Sequence, residues 1–295
     1  MVYGKTAVAA SLNLRTTIKF AELLKSPDLE DVIKIEFPNV NLSLNLPLRI
    51  FQDFFSDNFN DIKDSNQLRD HVKDFVDSIK NVIEKSDDDT VIKKKKMSLQ
   101  AFFYLLVYIA CEEHLDINTS FHVHLSTELQ VSSGLGSSAS FAVCLAACFL
   151  HWSLLQKGEH YTFTKDELDK ISKYALNCEK IMHESPSGID NSVCTYGSVI
   201  KFQNKELVDM LPHIPNLKIL LVNSNVLRST KDQVMRSARR KHLYPSIVDP
   251  ILNSIDALSS EAWEVLKEMG SKADESTKSM EQEWYTKLSV NLICL

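Results

Sequence analysis

Residues 131–140 form a glycine-serine loop, VSSGLGSSAS, whose residue types and spacing suit the binding of a phosphate group. The loop follows a predicted strand and precedes an apolar run that predicts a helix. Gly134 and Gly136 permit positive φ and close backbone approach, and the first helical turn offers free N–H groups and the positive end of its dipole. Neither the P-loop nor the dinucleotide template fits, because no lysine follows Gly136 and Ala139 replaces the third glycine. An ordinary strand–turn–helix with serine caps remains the alternative.

A second segment places two carboxylates on either side of a tight turn. Glu179 closes a predicted helix, the residues SPSG reverse the chain, and Asp190 follows eleven residues after Glu179. A phosphate-binding loop with two carboxylates suits phosphoryl transfer, since one carboxylate can hold Mg²⁺ while the other accepts the proton of the attacking hydroxyl. Taken alone, the segment is more typical of a surface helix end with a capped turn.

The elements that must position these residues follow from hydrophobic periodicity. Strands are predicted as a pair within residues 1–20 and at 31–37, 121–129 and 217–222, and helices at 45–59, 67–83, 98–113, 138–155, 165–183, 232–241 and 245–269. Thr164 is the expected N-cap of the helix at 165–183, with Glu167 three residues on as its capping-box partner. The charged segment 84–98, which includes Lys93–Lys96, predicts a solvated loop. The pattern indicates an α+β or mixed α/β protein with a second domain beginning near residue 208.

Composition limits the classes of function. A net charge of −6 and a pI of about 5.9 argue against nucleic acid as the main partner. No stretch is expected to supply the run of about 18 apolar residues that a membrane span needs; the apolar segment 101–110, with Phe102, Phe103 and Tyr104, predicts a core helix instead. The six cysteines lack metal-ligand spacing, and Cys144 and Cys148 are expected as core residues of a reduced, intracellular protein.

The glycine-serine loop and the turn HxxPSGxDN together resemble the GHMP kinases. Three further segments, VYGKTAVAASLNLRT, SPSGIDNSVCTYG and NVLRSTKDQV, followed by YPSIVDPILNSIDALS, narrow the resemblance to the mevalonate kinase branch of that family. The similarity covers nearly the whole chain and is least clear between Lys19 and Lys96. It implies a two-domain α+β fold: an ATP-binding N-terminal domain at 1–207 and a ferredoxin-like C-terminal domain at 208–295.

The resemblance also implies roles for individual residues. Asp190 matches the catalytic aspartate, and Ser138 and Glu179 match the two Mg²⁺ ligands. The residues matching ATP-binding positions are Asn39, Thr127, Ser132, Ser133, Gly134, Leu135, Gly136, Ser137 and Ser138. Arg228 and Thr230 match positions on the substrate side. The implied cofactors are ATP and Mg²⁺, the implied substrate is the small molecule mevalonate, and the implied assembly is a homodimer in the cytoplasm or peroxisome.

The sequence departs from the family pattern within the loop and at both ends. Val131, Ser132 and Glu184 stand where the family usually has proline, glycine and glycine. The family's upstream strand, which carries a lysine and P-G-E-H-type residues, and its downstream glycine-rich closing loop have no counterpart here, so the chain is expected to be truncated at both ends. Unpaired edges of the first strand and an exposed apolar C-terminus from Leu288 onward are expected for the same reason.

Three alternatives follow from these departures. The chain could be a nucleotide- or partner-binding protein without catalytic activity, or a different GHMP kinase such as a phosphomevalonate kinase. His122 and His124 share one face of a strand and could bind metal, but no third ligand at suitable spacing is visible, so a structural role is expected.

Overall fold

The computed structural model describes residues 3–24, 30–56, 65–79, 89–131, 133–182, 186–212, 214, 217–222, 230–272, 280, 282–284 and 286–288. They form two compact units. The first unit comprises Met1–Asn13, Ser132–Gly134 and Ser187–Leu295, and the second comprises Leu14–Val131 and Leu135–Pro186. The domain division predicted near residue 208 remains a prediction.

The strands of the described residues are β1 (Ala7–Ala10), β2 (Thr16–Glu22), β3 (Val32–Phe37), β4 (Leu42–Pro47), β5 (Phe121–Thr127), β6 (Val199–Gln203) and β7 (Glu206–Leu211). The α-helices are α1 (Leu48–Ser56), α2 (Ser65–Ser78), α3 (Asp89–Glu113), α4 (Ser137–Lys157), α5 (Lys165–Met182), α6 (Ile189–Tyr196), α7 (Thr230–Leu243) and α8 (Pro245–Ser271). This mixture confirms the α+β class.

The second unit is built on a four-stranded sheet of order β2-β5-β3-β4. Only β3 and β5 run parallel; the other two pairs are antiparallel. Alternation along the strands buries one face, so that Ile33, Ile35 and Phe37 of β3 lie inside while Lys34 and Glu36 face outward. Helices α3 and α4 cover the buried face, where the rings of Phe37 and Phe102 lie 6.0 Å apart. This packing fixes the positions of the end of β5 and the start of α4 relative to each other.

The first unit is built on a three-stranded antiparallel sheet of order β1-β6-β7. One face packs on α8, where Val199 joins a buried cluster with Trp263. The other face packs on α6, where Ile200 and Ile189 are buried together. Hence α6, which carries Asp190, is held by the apolar face of β1 and β6.

Helix α4 is long and apolar enough to cross a membrane by length and composition alone, contrary to the expectation that no stretch would be. Half of its most apolar window is buried within the protein, and the helix contacts β2, α3 and α5. A core helix passes the same test of composition, and its packing between other elements is typical of one.

Several predicted elements are wrong in position or pairing. The first two strands do not pair with each other, because β1 pairs with β6 and β2 with β5. Residues 45–47, predicted as the start of a helix, belong to β4 instead, since the alternating leucines of that strand pair with β3. Helix α3 begins at Asp89, so Lys93–Lys96 are helical, and the aliphatic part of Lys95 is buried.

The C-terminal part of the chain also differs from expectation. Residues 217–222 are not a strand: no described strand pairs with them, and Leu220 is 86% exposed. Instead, β6 and β7 form a hairpin whose turn residues, Asn204 and Lys205, both have positive φ, as a type I′ turn requires. Leu288, expected to be exposed, is buried beside Trp284; residues 289–295 lie outside the described residues.

Candidate active site

The glycine-serine loop ends in a helix start whose N-cap is a glycine. Gly136 is the N-cap of α4 with φ of 72°, in the left-handed region, and has no side chain with which to cap the first turn. Gly134 also has a positive φ, 79°. The first intrahelical bond runs from the Ser140 N–H to the Gly136 carbonyl at 2.9 Å, and the first turn contains no acidic residue. The amides that precede Ser140 therefore suit an external anion such as phosphate.

A buried carboxylate lies beside this helix start. Glu179, near the end of α5, is only 4% exposed, and Ser138 Oγ donates a hydrogen bond to its Oε1 at 3.4 Å. Two oxygens that bind one Mg²⁺ at about 2.1 Å in octahedral geometry lie about 3 Å apart, so this separation fits a shared ion. A hydroxyl and a carboxylate are also the hard donors that Mg²⁺ prefers. The structure thus brings together the two residues predicted as metal ligands.

Asn39 and Thr127 contact each other at the edge of the same sheet. The Asn39 side chain donates from Nδ2 to the Thr127 carbonyl and accepts the Thr127 N–H at Oδ1, both at 2.9 Å. Asn39 lies in a 3-10 turn, Pro38–Val40, directly after β3, while Thr127 ends β5. The carboxamide thereby makes the same pair of hydrogen bonds that a neighbouring strand would make, and its second N–H can bond to another partner.

Thr16 and Ser140 extend this contact to α4, and sequence reasoning missed both. Thr16 Oγ1 lies 2.8 Å from Thr127 Oγ1 and 2.9 Å from Ser140 Oγ. The register of β2 with β5 pairs Thr16 with Thr127. No sequence motif marks Thr16; its proximity to the helix start depends on strand pairing over more than 100 residues.

Asp190 belongs to the first unit, in the first turn of α6, where its side chain is exposed. Gly188 precedes it as an N-cap with φ of 85°, and Ser192 Oγ donates to the Gly188 carbonyl at 3.0 Å. The next residue, Asn191, is fully buried, and neither side-chain nitrogen nor oxygen finds a partner among the described residues. The turn therefore displays the carboxylate of Asp190 at the surface of its unit.

Three predicted site residues are outside what the structure describes in full. Ser132 and Arg228 lie outside the described residues, and Thr230 is described only as the first residue of α7, without its side chain. Ser133 is exposed within the glycine-serine loop, and Leu135 and Ser137 are half-buried. The roles that the resemblance implies for all of these residues remain predictions.

The thiols near the helix start stay protonated. Burial raises the pKa of the Cys144 thiol to about 11 and that of Cys148 to about 12. Burial, followed by the neighbouring charge of Glu179, raises the pKa of Cys178 further. A thiol needs its thiolate form to act as a nucleophile. These cysteines are therefore not suited to form a covalent intermediate in a group-transfer reaction.

The histidine pair of β5 has a carboxylate partner. Glu36 Oε2 lies 2.9 Å from His122 Nε2 and 3.3 Å from His124 Nδ1. Lys34 first, and then the two histidines, lower the pKa of Glu36 to about 2. No group of three or more potential ligands that could hold a metal ion occurs among the described residues. The contacts with Glu36 make the pair part of a polar network on the outer face of the four-stranded sheet.

Comparison with known proteins identifies relatives of this chain. The family model for the GHMP kinases N terminal domain matches residues 102–198, which include the glycine-serine loop, Glu179 and Asp190. The mevalonate kinase of Homo sapiens is 32% identical over 276 residues, covering 92% of this chain and 66% of that protein. The mevalonate kinase of Bos taurus is 34% identical over 275 residues, covering 91% and 66%. The chain thus spans slightly less than two thirds of the length of these relatives.

A solved structure shares the fold. The mevalonate kinase of L. major, crystallised with R-mevalonate, superposes with a TM-score of 0.54 at 16% identity, covering 90% of this chain and 64% of that one. Together with the sequence relatives, it confirms the resemblance inferred from the motifs. The chain therefore belongs to the GHMP kinase family and is a homologue of that family's mevalonate kinases.

Proposed function

We propose that this protein transfers the γ-phosphoryl group of ATP to the primary hydroxyl of mevalonate, yielding 5-phosphomevalonate for isoprenoid and sterol synthesis. The observation that carries the proposal is the uncapped start of α4 with Ser138 hydrogen-bonded to the buried Glu179. The names of the human and bovine relatives, and the R-mevalonate in the L. major structure, support the choice of substrate.

In this proposal the phosphates of ATP bind at the first turn of α4. The helix amides supply hydrogen bonds, and Gly136 allows the backbone to approach the phosphates without a side chain in the way. Ser138 and Glu179 would hold Mg²⁺, which when bound neutralises charge on the phosphate oxygens. Because Glu179 is buried, its negative charge is strongly stabilised by a cation at that position.

Asp190 acts as the general base of the same reaction. Its carboxylate accepts the proton of the substrate hydroxyl as the bond from that oxygen to the γ-phosphorus forms and the bond from the γ-phosphorus to the departing ADP breaks. The αL glycine at position 188 and the helical turn that follows keep the carboxylate exposed to a ligand. Arg228 and Thr230 are proposed to contact the substrate, and a homodimer in the cytoplasm remains a prediction.

An assay of phosphoryl transfer from ATP with Asp190→Asn tests the proposal. We expect the unchanged chain to phosphorylate mevalonate and the variant to be slower by about 10²–10⁴-fold, the usual contribution of a general base. The matched control is Asp209→Asn on β7, because Asp209 is an exposed aspartate of the same unit whose side chain accepts the N–H of the neighbouring Met210. This control should keep full activity.

Three outcomes contradict parts of the proposal. Equal activity of Asp190→Asn and the unchanged chain rejects Asp190 as the base. Faster phosphorylation of homoserine, galactose or phosphomevalonate than of mevalonate keeps the family and rejects the substrate. Tight ATP binding without transfer to any of these alcohols indicates a nucleotide-binding protein without catalytic activity.

A further inference from the structure

We propose that Thr16 is a positioning residue that fixes the phosphate-binding turn of α4 through its hydroxyl group. Thr16 lies at the first position of β2, in the interior of the hydrogen-bonded contact between β2, β5 and α4. The inference rests on the proposed function for its kinetic readout, but its structural readout is independent of substrate.

The hydroxyl contacts form a continuous chain across three elements. Leu129 N–H donates to Thr127 Oγ1 at 3.1 Å, Thr127 Oγ1 lies 2.8 Å from Thr16 Oγ1, and Thr16 Oγ1 lies 2.9 Å from Ser140 Oγ. Ser140 Oγ then donates to the Ser137 carbonyl at 3.0 Å. We call this series the hydroxyl chain. It ends on the carbonyl of the first residue of α4.

The direction of every bond in the hydroxyl chain follows from its last member. A carbonyl oxygen only accepts hydrogen bonds, so Ser140 donates its single hydroxyl proton to the Ser137 carbonyl. Ser140 Oγ must therefore accept the proton of Thr16, and Thr16 Oγ1 must in turn accept the proton of Thr127. Thr16 is the only member that joins the sheet to the helix, and it uses both a donor and an acceptor to do so.

Burial makes these bonds rigid. Ser140 is 7% exposed, so an unpaired hydroxyl there would lose its hydrogen bond without recovering one from water. A second contact ties the same residue to the next helical turn, since Cys144 Sγ donates to the Thr16 carbonyl at 3.3 Å. Thr16 thus holds two successive turns of α4 through two different atoms.

The consequence for the nucleotide concerns both ends of the hydroxyl chain. At one end, fixing Ser137 and Ser140 orients the first-turn amides before any phosphate arrives, which reduces the ordering that binding would otherwise require. At the other end, Thr127 has already donated its proton to Thr16. Its hydroxyl can then only accept a hydrogen bond from a ligand, for example from a ribose hydroxyl.

Comparison of Thr16→Val with Thr17→Val tests the inference. Both substitutions replace a hydroxyl by a methyl at similar volume, but Thr17 is exposed on the opposite face of β2. We expect Thr16→Val to raise the KM for ATP, and the Kd for ATP with Mg²⁺ by calorimetry, on the order of tenfold, as loss of a buried hydrogen bond predicts. The KM for mevalonate should change little, Thr16→Ser should restore ATP affinity, and Thr17→Val should resemble the unchanged chain.

Hydrogen exchange gives the structural readout without substrate. In Thr16→Val the Ser140 amide should exchange on the order of tenfold faster, while amides in the middle of α4, such as Phe149, keep their protection. If Thr16→Val does not fold, Ser140→Ala removes the same bond and is measured instead. Unchanged Ser140 exchange, equal effects on both KM values, or equal effects of the two valine variants would overturn the inference. Failure of the unchanged chain to bind ATP would count against the proposed function, whereas the exchange result would still decide the role of Thr16.

Discussion

The starts of helices α4 and α5 lie in the same unit but differ in how their first-turn N–H groups find hydrogen-bond partners. The first turn of any α-helix leaves N–H groups without intrahelical partners. At the start of α5, Thr164 Oγ1 accepts the Glu167 N–H at 3.3 Å and Glu167 Oε2 accepts the Thr164 N–H at 2.7 Å. At the start of α4 the N-cap is Gly136, which has no side chain to offer.

The difference separates a helix start that is part of the scaffold from one that suits a ligand. At the start of α5 the side chains of Thr164 and Glu167 accept hydrogen bonds from backbone N–H groups. The negative charges of Asp166 and Glu167 also favour the positive end of the helix dipole. The first turn of α4 has hydroxyls and no acidic residue, its N-cap glycine offers no side chain, and the nearby carboxylate of Glu179 accepts a hydrogen bond from Ser138. The lack of a capping side chain at Gly136, in a well-packed helix, is therefore a stronger indication of the proposed phosphate site than the glycine spacing is.

The largest effect is expected from a substitution beside the start of α4, the helix start that suits a ligand. Glu179→Gln removes the charge that would hold Mg²⁺ while it keeps the shape and an acceptor for Ser138. Loss of a metal ligand is worth several kcal/mol in the transition state, so we expect the rate of phosphoryl transfer to fall on the order of a hundredfold or more. Titration of activity with Mg²⁺ should show a higher requirement for the ion. Glu112→Gln, an exposed position on α3, is the control and should change neither.

An intermediate effect is expected from Gly136→Ala. A side chain at φ of 72° is strained by roughly 1–2 kcal/mol, and relief of that strain would rotate the first-turn amides away from the phosphates. Calorimetric ATP affinity should fall on the order of tenfold. The control is Gly158→Ala at the other end of α4, where φ is 156° and a Cβ meets no atom within 4 Å. If both variants lose ATP affinity equally, the effect comes from general destabilisation and not from the site.

The smallest effect concerns the capped helix start. The N–H of Thr164, and then His160, lower the pKa of Glu167, so the ionised carboxylate stabilises the folded state above the usual pKa of 4.5 and this stabilisation is lost as the pH falls through the lower folded value. Glu167→Gln should therefore reduce the unfolding free energy at neutral pH by less than about 1 kcal/mol. The difference from the unchanged chain should shrink below pH 4.5, as followed by urea denaturation, while ATP affinity stays the same. A difference that grows in acid would contradict this assignment.

Sequence periodicity predicted the elements around the site better than those at its margins. Helices α4 and α5, strand β5 and the capping pair Thr164–Glu167 were predicted correctly because each has a regular pattern and a local end signal. Leu46 was assigned to the start of a helix although it lies on β4, because a short apolar run is ambiguous until its pairing partner is known. The residues at 217–222 have the composition of a strand, but no described strand pairs with them.

The sequence by itself determined the chemistry that this protein can bring to a site. The glycine-serine loop, Glu179 and Asp190 are recognisable from residue type and spacing, because free amides and carboxylates are local properties of a helix start, a helix end and a turn. Only the tertiary structure decided which groups meet. Ser138 reaches Glu179, and Thr16 reaches Ser140, across 41 and 124 residues of chain, since helix packing and strand pairing bring together atoms that no local pattern relates.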